Sequence, residues 1–142
     1  MTRAERPRAA YLDSSALVKL VLVEPESDAL ATYLADEKPR VISSILAAVE
    51  VPRAVERAEP DDAEAARARA SAVIGETVLM ELTLELAQRA AAISPRELRA
   101  ADAVHVVSAA SLGPELSAFV AYNRRLLTAA RGAGLPVLSP AA

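Results

Sequence analysis

Short apolar runs alternate with longer segments of helical periodicity along this chain. The first run, residues 9–12 (AAYL), shows little alternation and ends at Asp13, a pattern typical of a strand buried on both faces of a parallel sheet. Further strands are predicted over residues 40–43 (RVIS), 77–80 (TVLM), 117–122 (SAFVAY) and 135–138 (LPVL). Because these strands alternate with helices, the pattern predicts a parallel sheet with helices on both faces.

The helices of the first half have recognisable boundaries. Residues 14–37 predict two helices, with Ser14 or Ser15 as the cap of the first. The helix that contains Glu50 follows the second strand, with Ser43 or Ser44 as its cap. Proline removes a backbone hydrogen bond inside a helix, so Pro52 predicts a kink or an early end there.

The second half carries equally clear signals. Pro60-Asp61-Asp62 starts a helix that ends at Gly75, and residues 82–93 predict the next. Ser94, Pro95 and Glu97 together predict a turn or helix start leading into a segment that stops at Gly113. Residues 124–134 predict the last helix. The element order predicts one α/β domain over residues 1–142, a three-layer α/β/α sandwich around a short-stranded, mainly parallel sheet of about five strands.

Composition narrows the chemistry. The chain has 142 residues and is 53% hydrophobic, which fits one domain with a sizeable core. Aromatic residues make up only 3%, so little is available to stack on nucleobases. With no Cys and a single His, disulfides, thiolate chemistry and multi-imidazole sites are excluded. A bound metal must therefore be held by oxygen atoms, which favours Mg²⁺ or Mn²⁺.

Charge and the N-terminal sequence suggest where the protein acts. MTRAERPRAAYLD contains no apolar run that would suit a signal peptide or a membrane span, so we expect a cytoplasmic protein without membrane contact. The net charge of −3 argues against indiscriminate nucleic-acid binding. Most of the short Arg groups are expected to be solvated helix faces.

Four polar side chains are expected to meet at one end of the sheet. Ligands of such sheets bind beyond the carboxyl ends of the strands, where the strand order reverses. Asp13 follows the first strand and Asn123 the fourth, while Glu50 and Asp102 lie on the helices after the second strand and before the fourth. All four can therefore face the same pocket, although they are far apart in sequence.

Each acid also has an ordinary structural interpretation. Asp13 suits a helix cap, Glu50 can pair with Arg53, and Asp102 can cap a helix or pair with Arg99. The combination favours a metal site, because ionised carboxylates in apolar segments need compensation. Two bare carboxylates about 4 Å apart repel by roughly 4 kcal/mol at an effective dielectric of 20. A divalent cation removes both costs.

Four segments resemble a known family. YLDSSALVKL, SSILAAVEVPRA, LRAADAVHVVSA and FVAYNRRLL resemble, in order and spacing, the PIN-domain ribonucleases, and most closely the VapC-type toxins of type II toxin–antitoxin pairs. The resemblance covers essentially the whole chain. It implies a helix-covered parallel sheet, a pocket for Mg²⁺ or Mn²⁺, an RNA substrate, a cognate antitoxin and a homodimer. It also implies that Asp13, Glu50 and Asp102 are the core catalytic acids.

The chain departs from the family at the fourth acidic position. The family usually has Thr-Tyr-Asp there, whereas this chain has Ala121-Tyr122-Asn123. An Asn carbonyl can touch a metal but brings no charge. We therefore expect one firmly held metal ion and only weak binding through Asn123.

Roles follow as hypotheses from the resemblance. Asp13 and Asp102 are expected to bind the metal directly, and Glu50 either binds through water or acts as a general base; these two roles remain open. His105 lies one turn after Asp102, but we expect a packed or hydrogen-bonded side chain rather than a proton shuttle. The candidates for substrate binding are Ser14, Arg124 and Arg125.

Two other functions fit parts of the sequence. A nuclease-like domain that has lost catalysis would be an RNA- or protein-binding module, and Asn123 favours it. A phosphotransfer domain also places an Asp after its first strand. The haloacid-dehalogenase kind needs a second Asp where Ser15 stands, and the receiver kind needs an earlier acidic pair that is missing.

Overall fold

A computed structural model describes residues 8–141. Residues 1–7, which include most of the stretch used to predict a cytoplasmic protein, lie outside the described part. The strands are β1 (Ala9–Leu12), β2 (Arg40–Ser44), β3 (Val78–Met80), β4 (Leu116–Val120) and β5 (Val137–Leu138). All five predicted strands are therefore present, each within about two residues of its expected bounds.

Seven α-helices connect these strands. They are α1 (Ser14–Val18), α2 (Ser27–Glu37), α3 (Ala47–Arg57), α4 (Ala63–Glu76), α5 (Leu84–Ala92), α6 (Ala100–Ala110) and α7 (Arg124–Gly132). A 3-10 turn over Gly113–Glu115 leads into β4. In residues 8–141 no helix is both long enough and apolar enough to cross a bilayer.

The sheet is parallel at every pairing, in the order β3-β2-β1-β4-β5. Ala10 pairs with Val41 of β2 on one side and Ala118 of β4 on the other. After β1, strands β2 and β3 are added on one side, and β4 and β5 are then added on the other side of β1. The strand order reverses between β1 and β4, which is where such sheets bind ligands.

Both faces of the sheet are covered by helices, as the sequence predicted. All four β1 residues are buried, and their side chains alternate between the two faces. Ala10 and Leu12 belong to a core with residues of α1 to α4, whereas Ala9 and Tyr11 belong to a second core with α6 and α7. The uninterrupted apolar run AAYL is the sequence counterpart of this double burial. The three-layer α/β/α prediction is confirmed.

Two predicted caps are wrong. Helix α1 is capped by Asp13, whose side chain accepts from the backbone amide of Ala16, while Ser14 and Ser15 are already helical. Asp13 keeps the extended backbone of β1, so its carboxylate is the group that reaches the free amides. At α3, Leu46 precedes the helix without a side-chain cap, because Ser44 accepts from the Leu46 amide before the helix begins.

The early end predicted as one alternative at Pro52 is wrong, and the alternatives left open at residues 94–97 are resolved. Pro52 does not end α3, which continues to Arg57. Val51 and Val55 on either side of it are fully buried, and burial of two Val side chains offsets the roughly 3 kcal/mol cost of an internal proline. Residues 94–99 form turns and bends, with the amide of Leu98 bonded to the Pro95 carbonyl, so the predicted alternative of a turn is the one observed and α6 begins at Ala100.

Candidate functional site

The predicted site lies at the point where the strand order reverses. The backbone amide of Asp13 donates to the carbonyl of Val120 at 3.1 Å, which joins the carboxyl ends of β1 and β4. Asn123 follows β4 three residues later and begins α7. Asp13 and Asn123 therefore follow the carboxyl ends of two neighbouring strands, which is the arrangement that the sequence predicted.

Asp13 is an almost completely buried carboxylate. The residue is 5% exposed. Its Oδ1 atom accepts hydrogen bonds from the Ser15 hydroxyl at 2.7 Å and from the Ala16 amide at 3.0 Å. Within residues 8–141 no group donates to Oδ2. Burial raises the pKa of Asp13 despite these two bonds. One carboxylate oxygen is thus left for a ligand that can compensate its charge.

Glu50 is held by two donors on its Oε1 atom. The Ser14 hydroxyl donates at 2.7 Å, and Nε2 of His105 lies at 2.8 Å. Burial opposes ionisation of Glu50, but the bonds from His105 and Ser14 outweigh it and lower the pKa of this carboxyl. Glu50 is therefore ionised and oriented, with Oε2 free of any protein donor among the described residues.

Asp102 lies in the first turn of α6 and is half-buried. Among residues 8–141 it has neither a hydrogen bond nor an ion pair, so the predicted pairing with Arg99 is not formed at close range. Burial raises its pKa, and the charge of Glu50 raises it further. Asp102 in turn raises the pKa of Asp13. The charges of neighbouring acids in this set therefore act on one another.

The arrangement suits a metal ion with few protein ligands. Within residues 8–141 no three acidic, His or Cys side chains are gathered closely enough to enclose an ion. Mg²⁺ is usually bound by one or two carboxylates and keeps several waters. Asp13 and Asp102 each have an oxygen without a donor among the described residues, and burial raises the pKa of both carboxyls. The donor set fits a divalent ion, and the assignment of ligands stays a prediction.

Asn123 has a structural task that the sequence did not reveal. Its Oδ1 accepts from the Leu126 amide at 3.1 Å and caps α7. A metal would need the same oxygen, so the bond to Leu126 makes Asn123 a weaker metal ligand than its position suggests. The predicted weak contact between Asn123 and a metal remains a prediction.

A cleft lined by arginines adjoins Asp102. It measures about 400 Å³ and is lined by Glu97, Leu98, Arg99, Asp102, Asn123, Arg124 and Arg125. A second cavity of about 500 Å³ shares Glu97, Leu98, Arg124 and Arg125 with it and extends toward α7. Both Arg124 and Arg125 are exposed. Positive side chains thus line the same cleft as Asp102.

The contacts of His105 were not foreseen. The sequence analysis expected a packed or hydrogen-bonded side chain, and His105 is indeed buried, at 1% exposure. Its partners, Tyr11 and Glu50, lie 94 and 55 residues away. Helical spacing relates His105 only to Asp102, so no sequence signal pointed to Glu50.

Comparisons with known proteins agree with this geometry. The PIN domain family model matches residues 10–131. The ribonuclease VapC46 of Mycobacterium tuberculosis is 41% identical over 132 residues, covering 93% of this chain and 98% of the relative. The ribonuclease VapC47 of the same species is 37% identical over 136 residues, covering 93% and 97%.

A solved structure shares the fold. The crystal structure of Mycobacterium tuberculosis VapC20, described as a sarcin–ricin loop cleaving toxin, superposes with a TM-score of 0.70 at 18% identity, covering 92% of this chain and 99% of that one. At this identity the likeness speaks for the fold alone. Together with the family match and the ribonuclease relatives, the five-stranded parallel sheet and its acidic pocket show that this chain belongs to the PIN-domain family, with the VapC ribonucleases as relatives.

Proposed function

We propose that this protein is a metal-dependent endoribonuclease that hydrolyses RNA phosphodiester bonds and acts as the toxin of a toxin–antitoxin pair. The observation that carries the proposal is the buried Asp13, whose Oδ2 has no donor among residues 8–141 and whose pKa is raised further by the charge of Asp102. Relatives that cover nearly the whole chain are named ribonucleases.

Asp13 and Asp102 would hold one Mg²⁺ or Mn²⁺ directly, and PIN-domain nucleases generally depend on a divalent ion. When bound, such an ion lowers the pKa of water and offsets charge that develops on the phosphate. Glu50 stays ionised and its Oε2 has no donor among the described residues, so it can accept a proton or a hydrogen bond from water. Oxygen ligands alone favour Mg²⁺ or Mn²⁺ over softer metals.

Arg124 and Arg125 would hold the RNA backbone. Both line the cleft next to Asp102, and Arg binds phosphate oxygens through paired hydrogen bonds. Ser14 contributes through Glu50, because its hydroxyl already donates to that carboxylate. The chain is expected to select RNA by backbone contacts and the local shape of the cleft, since only 3% of its residues are aromatic.

The partners are part of the proposal. A toxin of this kind is neutralised by a cognate antitoxin, and the resemblance to VapC-type toxins supports such a partner. A homodimer is supported by α5, which contains no fully buried residue and exposes Leu84. Leu82 and Val78 nearby are also exposed. An apolar edge of this kind is common at subunit interfaces.

A catalytically weakened binding module remains the second candidate, because Asn123 replaces an acid and caps α7 instead. The two functions are separated by incubating the protein with RNA in Mg²⁺ or Mn²⁺, with and without EDTA. Cleavage that needs the metal and disappears in Asp102→Asn supports the nuclease. Asp36→Asn is the control, because Asp36 is exposed on α2. RNA binding without cleavage by the wild type would support the binding module.

A further inference from the structure

We infer that His105 is a positioning residue for hydrolysis: it holds the Glu50 carboxylate through Nε2–H, and the Tyr11 hydroxyl fixes its tautomer by donating to Nδ1. The inference rests on the proposed nuclease function, which it deepens by assigning a role to a residue outside the acidic set. His105 is not a ligand, and it acts on the reaction only through Glu50.

The geometry defines an unbroken chain of contacts. The Tyr11 hydroxyl lies 2.7 Å from Nδ1 of His105, and Nε2 lies 2.8 Å from Oε1 of Glu50. The hydroxyl of Ser14 completes the chain from the other side, 2.7 Å from the same oxygen. Tyr11 is 0% exposed and His105 is 1% exposed, so water does not compete for the bond between them, whereas the two bonds to Glu50 are partly buried.

Hydrogen-bond capacity settles the tautomer. An ionised carboxylate only accepts, so Nε2 must carry the proton that meets Glu50. Nδ1 of the neutral ring is then an acceptor, and the phenol of Tyr11 is the donor that faces it. Burial raises the pKa of Tyr11 far above its usual value, so this phenol keeps its proton. For a neutral imidazole, this is the one assignment that gives Tyr11, His105 and Glu50 a matching donor and acceptor at each contact.

The surroundings make this arrangement rigid. The Tyr11 ring stacks on Phe119 with centroids 5.5 Å apart, and it meets the His105 ring edge-on at 5.7 Å. Tyr11 belongs to β1 and Phe119 to β4, the two strands between which the site lies. The central strands thereby fix the imidazole, which fixes Glu50 on α3.

The same contacts argue against a proton shuttle. Both ring nitrogens are engaged by protein atoms, and the ring has almost no contact with solvent. A shuttle needs a nitrogen that can reach water or substrate. The observed contacts fit a positioning residue, because a fixed donor on Oε1 orients the carboxylate and leaves Oε2 without a donor among the described residues. Partners of this kind typically change metal affinity or activity by about 10–100-fold.

The tautomer can be tested without RNA or metal. His105 is the only histidine in the chain, so the imidazole nitrogen signals of the folded, metal-free protein belong to it alone. Two-bond ¹H–¹⁵N correlation spectra at neutral pH should show a protonated Nε2 and an unprotonated Nδ1. A neutral ring protonated at Nδ1, or an average of both tautomers, would overturn the inference whatever the protein does to RNA.

Variants test the link to Glu50. His105→Leu should lower kcat about 10–100-fold with KM within about twofold, and should weaken Mn²⁺ binding by about tenfold in calorimetry. His105→Gln keeps a donor near the Nε2 position and should recover a large part of both. Tyr11→Phe removes only the hydroxyl and should lower kcat several-fold.

Val106→Ala is the matched control, because Val106 is buried on the same helix but packs into the core away from Glu50. It should lose stability while keeping kcat and Mn²⁺ affinity. The positioning role is wrong if Val106→Ala lowers kcat as much as His105→Leu does. It is also wrong if His105→Leu and Tyr11→Phe both retain the kcat and the Mn²⁺ affinity of the wild type. A wild type that binds Mn²⁺ more tightly than His105→Leu but never cleaves RNA would contradict the nuclease instead.

Discussion

The hydroxyl of Ser14 donates to Oε1 of Glu50 at 2.7 Å, across 36 positions of sequence. Ser14 begins α1, directly after β1, and Glu50 lies on α3, which follows β2. The bond therefore ties together the segments that leave two neighbouring strands at the site end of the sheet. The bond also holds the Glu50 carboxylate in place, and the charge of this carboxylate raises the pKa of Asp102.

Ser14→Ala should lower kcat about three- to tenfold, because Glu50 keeps only one of its two donors and its carboxylate turns more freely. Loss of one hydrogen bond to a charged group costs on the order of 1.5–3 kcal/mol at most. Steady-state cleavage of a labelled RNA measures the effect. Ser111→Ala is the control, since Ser111 is exposed and bonds only to its own helix. Equal activity of the two variants would mean that the hydroxyl does not matter to Glu50.

Asp13→Asn should stabilise the metal-free protein and abolish metal binding. Asn accepts the same bonds from Ala16 and Ser15 and caps helices as well as Asp, but it buries no charge. We expect a gain of about 0.5–2 kcal/mol in the free energy of unfolding at pH 7 in EDTA. Urea denaturation measures it, and calorimetry with Mn²⁺ should show no binding.

The pH dependence of this gain has a definite sign. Burial raises the pKa of Asp13 in the folded state, so the folded protein binds more protons than the unfolded chain between the ordinary pKa near 4 and the raised one. The wild type therefore loses stability as pH rises through that window, and Asp13→Asn does not. The advantage of the variant should be large at pH 7 and nearly absent at pH 3. A variant less stable than the wild type at pH 7 would contradict this account.

The sequence predicted those parts of the fold that depend on local pattern. AAYL identified β1 because a strand covered on both faces needs four consecutive apolar residues. Asp13 and Asn123 were placed together because they follow β1 and β4, and parallel strands present their carboxyl ends at one edge. Pro52 misled because its local cost was visible, whereas the compensating burial of Val51 and Val55 depends on the tertiary fold.

The chemistry of individual atoms was beyond the sequence. Asn123 caps α7 through the oxygen that a metal would need, whereas Asp13 caps α1 through Oδ1 and leaves Oδ2 without a donor among the described residues. Only coordinates show which oxygen is used. The bond between His105 and Glu50 joins α6 to α3 across the site, and no periodicity relates two helices so far apart in the chain. Residue types and topology predict which side chains form the site, whereas the hydrogen-bond directions are visible only in the structure.

Asn123→Asp should tighten Mn²⁺ binding and raise kcat. Asp caps α7 as well as Asn, and its charge is favourable at the helix N-terminus. It also adds an acid to the cleft that contains Asp102. Asn123→Ser is the control, because Ser caps the helix without adding charge. If both variants bind Mn²⁺ like the wild type in calorimetry, position 123 does not belong to the metal site.

Arg124 and Arg125 occupy the first turn of α7, where the helix dipole disfavours positive charge. Arg124→Gln with Arg125→Gln should therefore raise the unfolding free energy slightly, by about 0.3–1 kcal/mol. The same double variant should raise KM for RNA and flatten its dependence on salt, because fewer phosphate contacts release fewer counterions.

Arg131→Gln is the matched control on the same helix, since Arg131 lies in the last turn, where positive charge is favourable. It should lose a little stability and leave KM unchanged. If the changes in unfolding free energy have opposite signs and only the first-turn variant raises KM, Arg124 and Arg125 serve the substrate rather than the fold. A KM increase of equal size in Arg131→Gln would instead mean that Arg124 and Arg125 act only through general positive charge.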